Sequence, residues 1–478
     1  MSAIELISAR KGIVSRLPWG IGVVGIGLAL SGCAIYQVQE EMELSQVEAP
    51  SMFVEADVPS AREAVWTDES WWESFEDPVL SGLIEQGLDG SFSLRGFVAR
   101  IEQAAALSKQ SGATLFPTLN LSAGADAEWD REDSRSVGGL LRWELDLLGR
   151  LSSAHQARVL QQEARVEDWR DARLLLSAAI AERYFEIKEQ QRQLEVLRAQ
   201  IDINESLLKL TTLRYGQGQA SIVDVLQQRE QLDETKARVP EAEARWGALG
   251  YSLDALLGRV PERGSRKWDS TISSPPPLPQ VGIPAKLLAN RPDLRASRLR
   301  VMSIDYEIGE AVAAQFPSLR IGLGVDWRGD PSFGNAIESA FADLAVPLFA
   351  GGERRAEVRR RKAEMDEALA DYAELFFSAI VDVESTLLLE RKLNERLVLV
   401  VAQLQSAQRL LTEARNRYSQ GLTDYLPVFT FLSIVQNLER EIVSSRRDVL
   451  SARVGLHRAL GGPLLNPENQ PLISRIDE

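Results

Sequence analysis

Most of this chain is written twice, and the repeated unit is itself composite. Leu94-Arg95 recurs as Leu294-Arg295 and Phe116-Pro117 as Phe316-Pro317, both at an offset of 200 residues. Farther along the offset is 203, where Arg214-Tyr215 with Gln217-Gly218 matches Arg417-Tyr418 with Gln420-Gly421, and Leu257-Gly258 matches Leu460-Gly461. The extra residues fall between positions 317 and 352, where a turn absorbs them. A unit of roughly 170 residues is too long for a solenoid repeat and fits a two-fold internal symmetry within one subunit. The division this predicts is a leader at 1–32, an irregular segment at 33–77, a first repeat at 78–258, a proline-rich linker at 259–284, a second repeat at 285–461 and a tail at 462–478.

Inside each unit the hydrophobic period switches twice. From 78 to 112 it is helical, with Leu80, Leu83, Ile84 and Leu88 on one face. After Pro117 it becomes alternation: Leu119, Leu121, Ala123, Ala125, Ala127 and Trp129 are apolar, and Asn120, Ser122, Gly124, Asp126, Glu128 and Asp130 stand between them. The second copy repeats this with Leu319, Ile321, Leu323, Val325 and Trp327. A return strand follows in the first half, with Val137, Leu141, Trp143, Leu145 and Leu147 on one face and Arg142, Glu144 and Asp146 on the other. Its counterpart at 336–348 reads as less regular, because Asp343 and Pro347 interrupt it. The expected hairpins span 117–148 and 317–349.

Long helical runs come next, at 150–214 and 352–417. The first contains no proline, and about 65 residues of helix would reach roughly 100 Å. Its seam is Leu194, Leu197, Ile201 and Leu208, interrupted by Gln190, Asn204 and Thr211; at the 203 offset the second copy has Leu397, Val400, Leu404 and Leu411, with Leu393, Ala407 and Ala414. This 4-3-4-3 spacing is that of coiled-coil packing. The polar seam suits helices set side by side in a large ring, and independent antiparallel coiled coils would show the same period. Each run stops at Tyr215-Gly216-Gln217-Gly218 or Tyr418-Ser419-Gln420-Gly421, and return helices are predicted at 222–258 and 424–461. Ser221 with Asp224 forms a capping box, and Asp424 stands ready to cap the second return helix. Pro240, opposite Val443 in the other copy, predicts a kink.

Composition closes off several chemistries. There are 54 basic and 69 acidic residues, a net charge of -15 and a pI near 5.0, so nucleic acid is not an expected partner. With two histidines and one cysteine, neither a metal cluster nor a Cys-His nucleophilic pair is expected, and an internal disulfide is impossible. No phosphate-cradling loop with its lysine is present, so energy for any transport must come from a partner. No catalytic residues and no cofactor are expected.

The leader carries Arg10, Lys11 and Arg16 against Glu5, then an apolar run from Trp19 to Leu30 that is short for a membrane span. It ends in Leu30-Ser31-Gly32-Cys33, which resembles the bacterial lipobox and predicts lipidation of Cys33. Ala34 follows the cysteine, where an Asp would retain an enteric lipoprotein in the inner membrane, so the expected address is the outer membrane. Alternation also describes a half-buried sheet in a soluble domain, and that address turns the reading toward membrane strands. Four such strands cannot close a barrel, and open edges are not tolerated in hydrocarbon, so several subunits must pool them.

The chain also resembles the TolC-like outer-membrane efflux channels, in the OprM/NodT-type lipoprotein branch. The likeness rests on Trp71-Trp72 with Phe75, Asp77-Pro78 and Leu80; on Trp143-Glu144-Leu145-Asp146-Leu147-Leu148-Gly149-Arg150, with Leu148 where Phe is usual; and on Arg291-Pro292-Asp293-Leu294-Arg295 and Pro347-Leu348-Phe349-Ala350-Gly351-Gly352. At Gly90-Ser91-Phe92-Ser93 it departs from the usual asparagine. The resemblance implies a mixed, mainly α fold: long antiparallel helices forming a periplasmic α-barrel, and two β-hairpins per subunit contributing to a trimeric twelve-stranded transmembrane β-barrel. It implies a homotrimer working with a periplasmic adaptor and an inner-membrane pump. Arg214, Tyr215, Gly218, Arg417, Tyr418 and Gly421 match the tip motif that meets the adaptor in relatives, or they simply shape the turns. For the aperture, Asp424 and Tyr425 just after the second turn are the candidates. A passive export channel uses all these features. A structural periplasmic coiled-coil lipoprotein would leave the amphipathic strands without a use, and a hydrolase finds no distinguished carboxylate pair.

Overall fold

The computed structural model describes residues 36–37, 50, 52–55, 70–126, 134–262, 268–279, 284, 287–329 and 336–462. Cys33, the leader, the tail beyond residue 462 and the hairpin tips that include Ala127 and Trp129 lie outside the described residues. A 3-10 turn, Trp71–Phe75, leads into α1 (Pro78–Gly90) and α2 (Phe92–Ala113), then β1 (Thr118–Asp126), β2 (Ser134–Leu145), α3 (Arg150–Gly216) and α4 (Ile222–Leu256). The plan then repeats: α5 (Leu287–Asn290), α6 (Pro292–Ala313), β3 (Ser318–Gly329), β4 (Ile337–Ala345), α7 (Glu353–Ser419) and α8 (Leu426–Ala459).

The single helical stretch expected over 78–112 is two helices. Asp77 starts the first by accepting from the amides of Val79 and Leu80 at 3.1 and 3.2 Å, with Pro78 in the first turn. Ser91 is extended, ends α1, and caps α2 through the Leu94 amide at 3.3 Å. The break follows from Gly90, which abuts the end of α4. A Cβ on Gly90 would lie 2.5 Å from the Leu257 carbonyl oxygen, and one on Gly258 would lie 2.3 Å from that of Gly90. Gly258 also has φ 70, a conformation open to glycine. The repeated Leu-Gly at 460–461 does the same work, since Gly461 has φ 91 and its Cβ would meet Asn290 and Arg291 at 3.0 Å.

The four strands form one antiparallel sheet in the order β1-β2-β3-β4, so β2 and β3 join the two hairpins. The register puts Leu119, Leu141, Leu323 and Ala340 in one row, and Trp143, Ile321 and Ala342 in another, on a single face. On the opposite face Asn120, Leu140, Gly324 and Ser339 align, as do Glu144, Arg320 and Asp343. β4 is more regular than expected. Asp343 pairs with Arg320 on the polar face, and Pro347 lies beyond the strand.

α3 and α7 each have 67 residues, about 100 Å at 1.5 Å per residue. Their strand-proximal halves pack with α2 and α6, and their distal halves with the shorter return helices α4 and α8. Where these halves meet, Leu80, Ile84, Ile180, Tyr184, Leu253, Leu450 and Val454 make the largest core cluster. Burying each such aliphatic side chain contributes about 1.5–3 kcal/mol. The Tyr184 hydroxyl donates to Asp77 at 2.7 Å, tying the start of α1 to α3. The linker is held too: Arg453, paired with buried Glu390, donates to the Pro277 carbonyl at 2.6 Å. Helix α4 runs on through Pro240, which removes an amide from its ladder without ending it. Among the described residues no helix is long and apolar enough to cross a membrane.

Candidate functional site at the sheet and the helical tip

Two places carry chemistry that a packed core does not need: the sheet with its corners, and the ends of the helical hairpins. On the sheet, Leu119 and Leu121 are 75% and 81% exposed and Leu323 is 59% exposed, all on the apolar face. Both β1 and β4 have an unpaired edge within the subunit. The β2–α3 corner is tightly made. Asp146 accepts from the amides of Leu151 and Ser152 at 2.9 and 2.7 Å, while Glu144 takes Arg150 at 2.5 Å and Arg320 at 3.1 Å. At the β4–α7 corner, Pro347, Leu348 and Phe349 replace Glu144, Leu145 and Asp146 at the 203 offset. There α7 starts from Gly352 with no side-chain cap, and Leu348 and Phe349 are over nine-tenths exposed.

At the far end the two turns close alike. Gly218 and Gly421 both have φ 72, and the amides of Gln219 and Leu422 return to the carbonyls of Arg214 and Arg417 at 2.8 and 2.9 Å. This is the Schellman stop, so glycine in the repeated motif is a backbone requirement. The side chains of the two copies part company. Arg214 crosses to the other hairpin, donating to the Tyr418 carbonyl at 3.2 Å and lying 4.2 Å over its ring. Arg417 stays on its own helix with Glu413 at 2.8 Å. Tyr418 is buried, whereas Tyr215 is 47% exposed.

The two aperture candidates also separate. Asp424 is exposed, and it does not cap α8 as the spacing suggested. The helix starts at Leu426 from Tyr425, whose backbone is already helical and which makes no capping bond. Tyr425 is 1% exposed, packs edge-on against Tyr418 at 5.3 Å and donates to Gln228 of α4. Burial pushes both tyrosine hydroxyls above their ordinary pKa, so both stay neutral, and Tyr425 is the one that donates. The capping box at Ser221 and Asp224 is formed, with Asp224 accepting from the Ser221 amide at 3.0 Å and Ser221 from that of Val223 at 3.1 Å.

Behind the tip lies a buried polar ladder. Gln436 of α8 donates to Asn204 at 3.0 Å and accepts from Gln231 at 3.2 Å. Asn204 donates to Thr235 at 3.0 Å, and Gln228 donates to the Asn204 carbonyl at 3.1 Å. Gln200 donates to the Gln436 carbonyl at 2.9 Å. All six side chains are at most 5% exposed. Asn204 was visible in the sequence as a polar residue at a seam position. Gln200, Gln228, Gln231 and Gln436 were not, since a glutamine on a long helix is ordinarily a solvated one.

Away from the tip, two ionisable groups stand out, half-buried Asp171 and buried His457. Burial, the Asp293 carboxylate and Asp168 raise Asp171 to about 6, against the pull of Arg291. Burial and Arg453 lower His457 to about 4, and both its ring nitrogens lack a partner. Among the described residues no group of three His, Cys, Asp or Glu side chains is placed to hold a metal ion.

Residues 83–259 and 283–462 match the family described as Outer membrane efflux protein. The chain is similar to the pyoverdine export outer membrane protein OpmQ of Pseudomonas aeruginosa, at 28% identity over 82% of this chain and 87% of that protein. It is 25% identical to the probable outer membrane lipoprotein SilC of Salmonella typhimurium, over 83% of this chain and 88% of that one. Among solved structures, the outer-membrane channel OprN superposes with a TM-score of 0.81 at 25% identity, covering 90% of this chain and 99% of that one.

Proposed function

This chain belongs to the outer membrane efflux protein family, and we propose that it forms the outer-membrane conduit of a three-part export system, passive in itself and driven by an inner-membrane pump. The observation that carries this is the sheet: one face carries exposed Leu119, Leu121 and Leu323, the other carries the charged Glu144, Arg320 and Asp343, and both edges are unpaired within the subunit. In a bilayer the edges must pair, because unsatisfied backbone groups cost several kcal/mol each in hydrocarbon. Three copies joined β4 to β1 make a closed barrel of twelve strands, and the 67-residue helices continue it about 100 Å into the periplasm. A purely structural lipoprotein leaves this face without a use.

At the tip, the exposed Tyr215 and Arg417 are the residues for the periplasmic adaptor, on turns set by Gly218 and Gly421. Arg214 and Tyr418 hold the two hairpins together beneath them. Exposed Asp424 lines the aperture, repeated by the subunit symmetry into an acidic ring that favours cations, and Tyr425 fixes its helix. Cys33 bears the lipid.

Native mass spectrometry of protein extracted from outer membranes tests the assembly. A trimer carrying acyl mass at Cys33, with conductance in planar bilayers, is expected. A lipidated monomer stable across detergents overturns the shared barrel. If Asp424→Ala leaves leak and drug susceptibility unchanged at normal expression, the aperture assignment fails.

A further inference from the structure

The duplication repeats an ion pair whose second copy does not close within the subunit. Arg300 of α6 pairs with Asp168 of α3, and Arg165 shares that carboxylate at 3.2 Å. At the offsets of 200 and 203 residues the same two positions are Arg100 on α2 and Asp371 on α7. Both residue types are kept and both side chains are exposed, yet among the described residues neither makes an ion pair. Arg100 lies over the Phe97 ring at 4.7 Å. Ala368 stands where Arg165 would be, so Asp371 has no cation within a turn of it on its own helix. The strand-proximal helices pack in the order α2, α3, α6, α7, so α2 and α7 are the outer flanks of one wall. Arg100, Arg300 and Asp371 open on a single groove of about 830 Å³ that draws residues from all four helices, the concave side of that wall.

The flanks also carry matching faces. On α2, Phe92, Ala99 and Ala106 stand a heptad apart and exposed. The buried Leu94, Ile101 and Ser108 follow two positions later, about 200° round the helix. On α7, exposed Ala363, Ala370 and Phe377 repeat the spacing, with Tyr372 and Ala379 buried on the opposite side. Helix α2 runs toward the sheet and α7 away from it, so the two are antiparallel when laid side by side. One register then sets Phe92 against Phe377, Ala99 against Ala370 and Ala106 against Ala363. Arg100 and Asp371 each follow a paired alanine by one residue. On antiparallel helices that turns both to the same side, the groove side, about 3 Å apart along the axis.

We propose that Arg100 of each copy pairs with Asp371 of the next, closing a ring of six Arg–Asp pairs on the lumen wall, three within subunits and three between them. This rests on the reading of the chain as a trimer joined β4 to β1, which brings α7 of one copy beside α2 of the next. The surface is the α2 flank, and its partner is the α7 flank of a second copy of this chain. Alanines let the two helices approach closely but do not resist sliding. The charge pair supplies the register, because an exposed ion pair adds little affinity while mismatched charges penalise wrong alignments. The pair inside the subunit is thus the template for the pair between subunits.

Charge reversal in the full-length protein, read in outer membranes, tests the pairing. Arg100→Asp alone and Asp371→Arg alone should each lower the detergent-resistant oligomer about fivefold, the upper end for an exposed ion pair. The two reversals together should return it to within about twofold of the parent protein. A double reversal no better than either single one would overturn the pairing. Cross-linking gives an independent reading of the same seam. With a short bismaleimide, the variant Arg100→Cys with Asp371→Cys should run as covalent dimers and trimers. Arg300→Cys with Asp168→Cys should stay at monomer mobility, since that pair lies within one subunit. Native mass spectrometry separates the two ways to fail. A trimer that yields no cross-linked ladder removes this seam and leaves the shared barrel, whereas a monomer removes the trimer and the pairing with it.

Discussion

The two helical hairpins descend from one plan, yet their distal seams are made of different chemistry. In the α7–α8 hairpin the seam is apolar: Val400, Ala407, Leu411, Ala414, Val428, Leu432, Val435 and Leu438 form one cluster that runs to the tip. In the α3–α4 hairpin the apolar cluster is small, with Leu194, Leu197 and Ala242 at its heart, and farther out the buried seam is Asn204, Thr211, Gln228, Gln231 and Thr235. Apolar burial is non-directional and tolerates sliding, whereas buried amides demand their partners at fixed positions. The second hairpin can therefore hold itself together. The first borrows Gln436 and Tyr425 from the second to satisfy its interior, so the polar ladder sets the register between hairpins.

Four measurements would break or sharpen this contrast. The largest effect belongs to the apolar seam: Leu432→Ala should cost about 2–5 kcal/mol, seen as faster hydrogen exchange over the distal halves of α7 and α8. Protection unchanged there would mean the seam is not what holds that hairpin.

Next is acid. His457 on α8 is neutral in the fold, so the stability it permits is complete above pH 6.5 and is lost as pH falls toward 4, by about 3 kcal/mol. His457→Leu should flatten that slope. Asp171 on α3 has the opposite sign. Its raised pKa makes the ionised form a burden at neutral pH that is relieved as pH falls from about 6 toward 3.8, by about 1–2 kcal/mol after discounting its partial exposure. Asp171→Asn should bring that gain to pH 7, in a pH series of thermal melts in detergent.

For the ladder, Gln436→Leu should cost about 1–3 kcal/mol by stranding Asn204 and Gln231, with exchange rising on α3 and α4 more than on α7. Adding Asn204→Leu should recover part of the loss; strictly additive losses would deny the coupling. The smallest effect is at the corners: Asp146→Ala should cost about 1 kcal/mol and leave the first turn of α3 without a side-chain cap, as α7 is.

The corners show how far a sequence can be read. Alternation through Leu119–Ala125 and Leu319–Trp327, and the run from Arg150 without proline, were sufficient for the elements, because period and missing breakers are local properties. The tip glycines were legible for the same reason. The capping role of Asp424 was misread because the spacing matched while Tyr425, drawn into the core, had already begun the helix. The inter-hairpin ladder was invisible, since its partners stand some 200 residues apart, as Asn204 and Gln436 do.

The sequence by itself determined the duplication, the succession of hairpin and long helices in each copy, the turns at the tip and the acidic, cysteine-poor inventory. Tertiary structure alone decided that β2 pairs with β3 into one sheet, that Arg214 and Arg417 have different partners, and that buried amides join the hairpins. The physical reason is range: propensity and periodicity act over a few residues, while the satisfaction of buried polar groups depends on whatever distant segment the fold brings alongside.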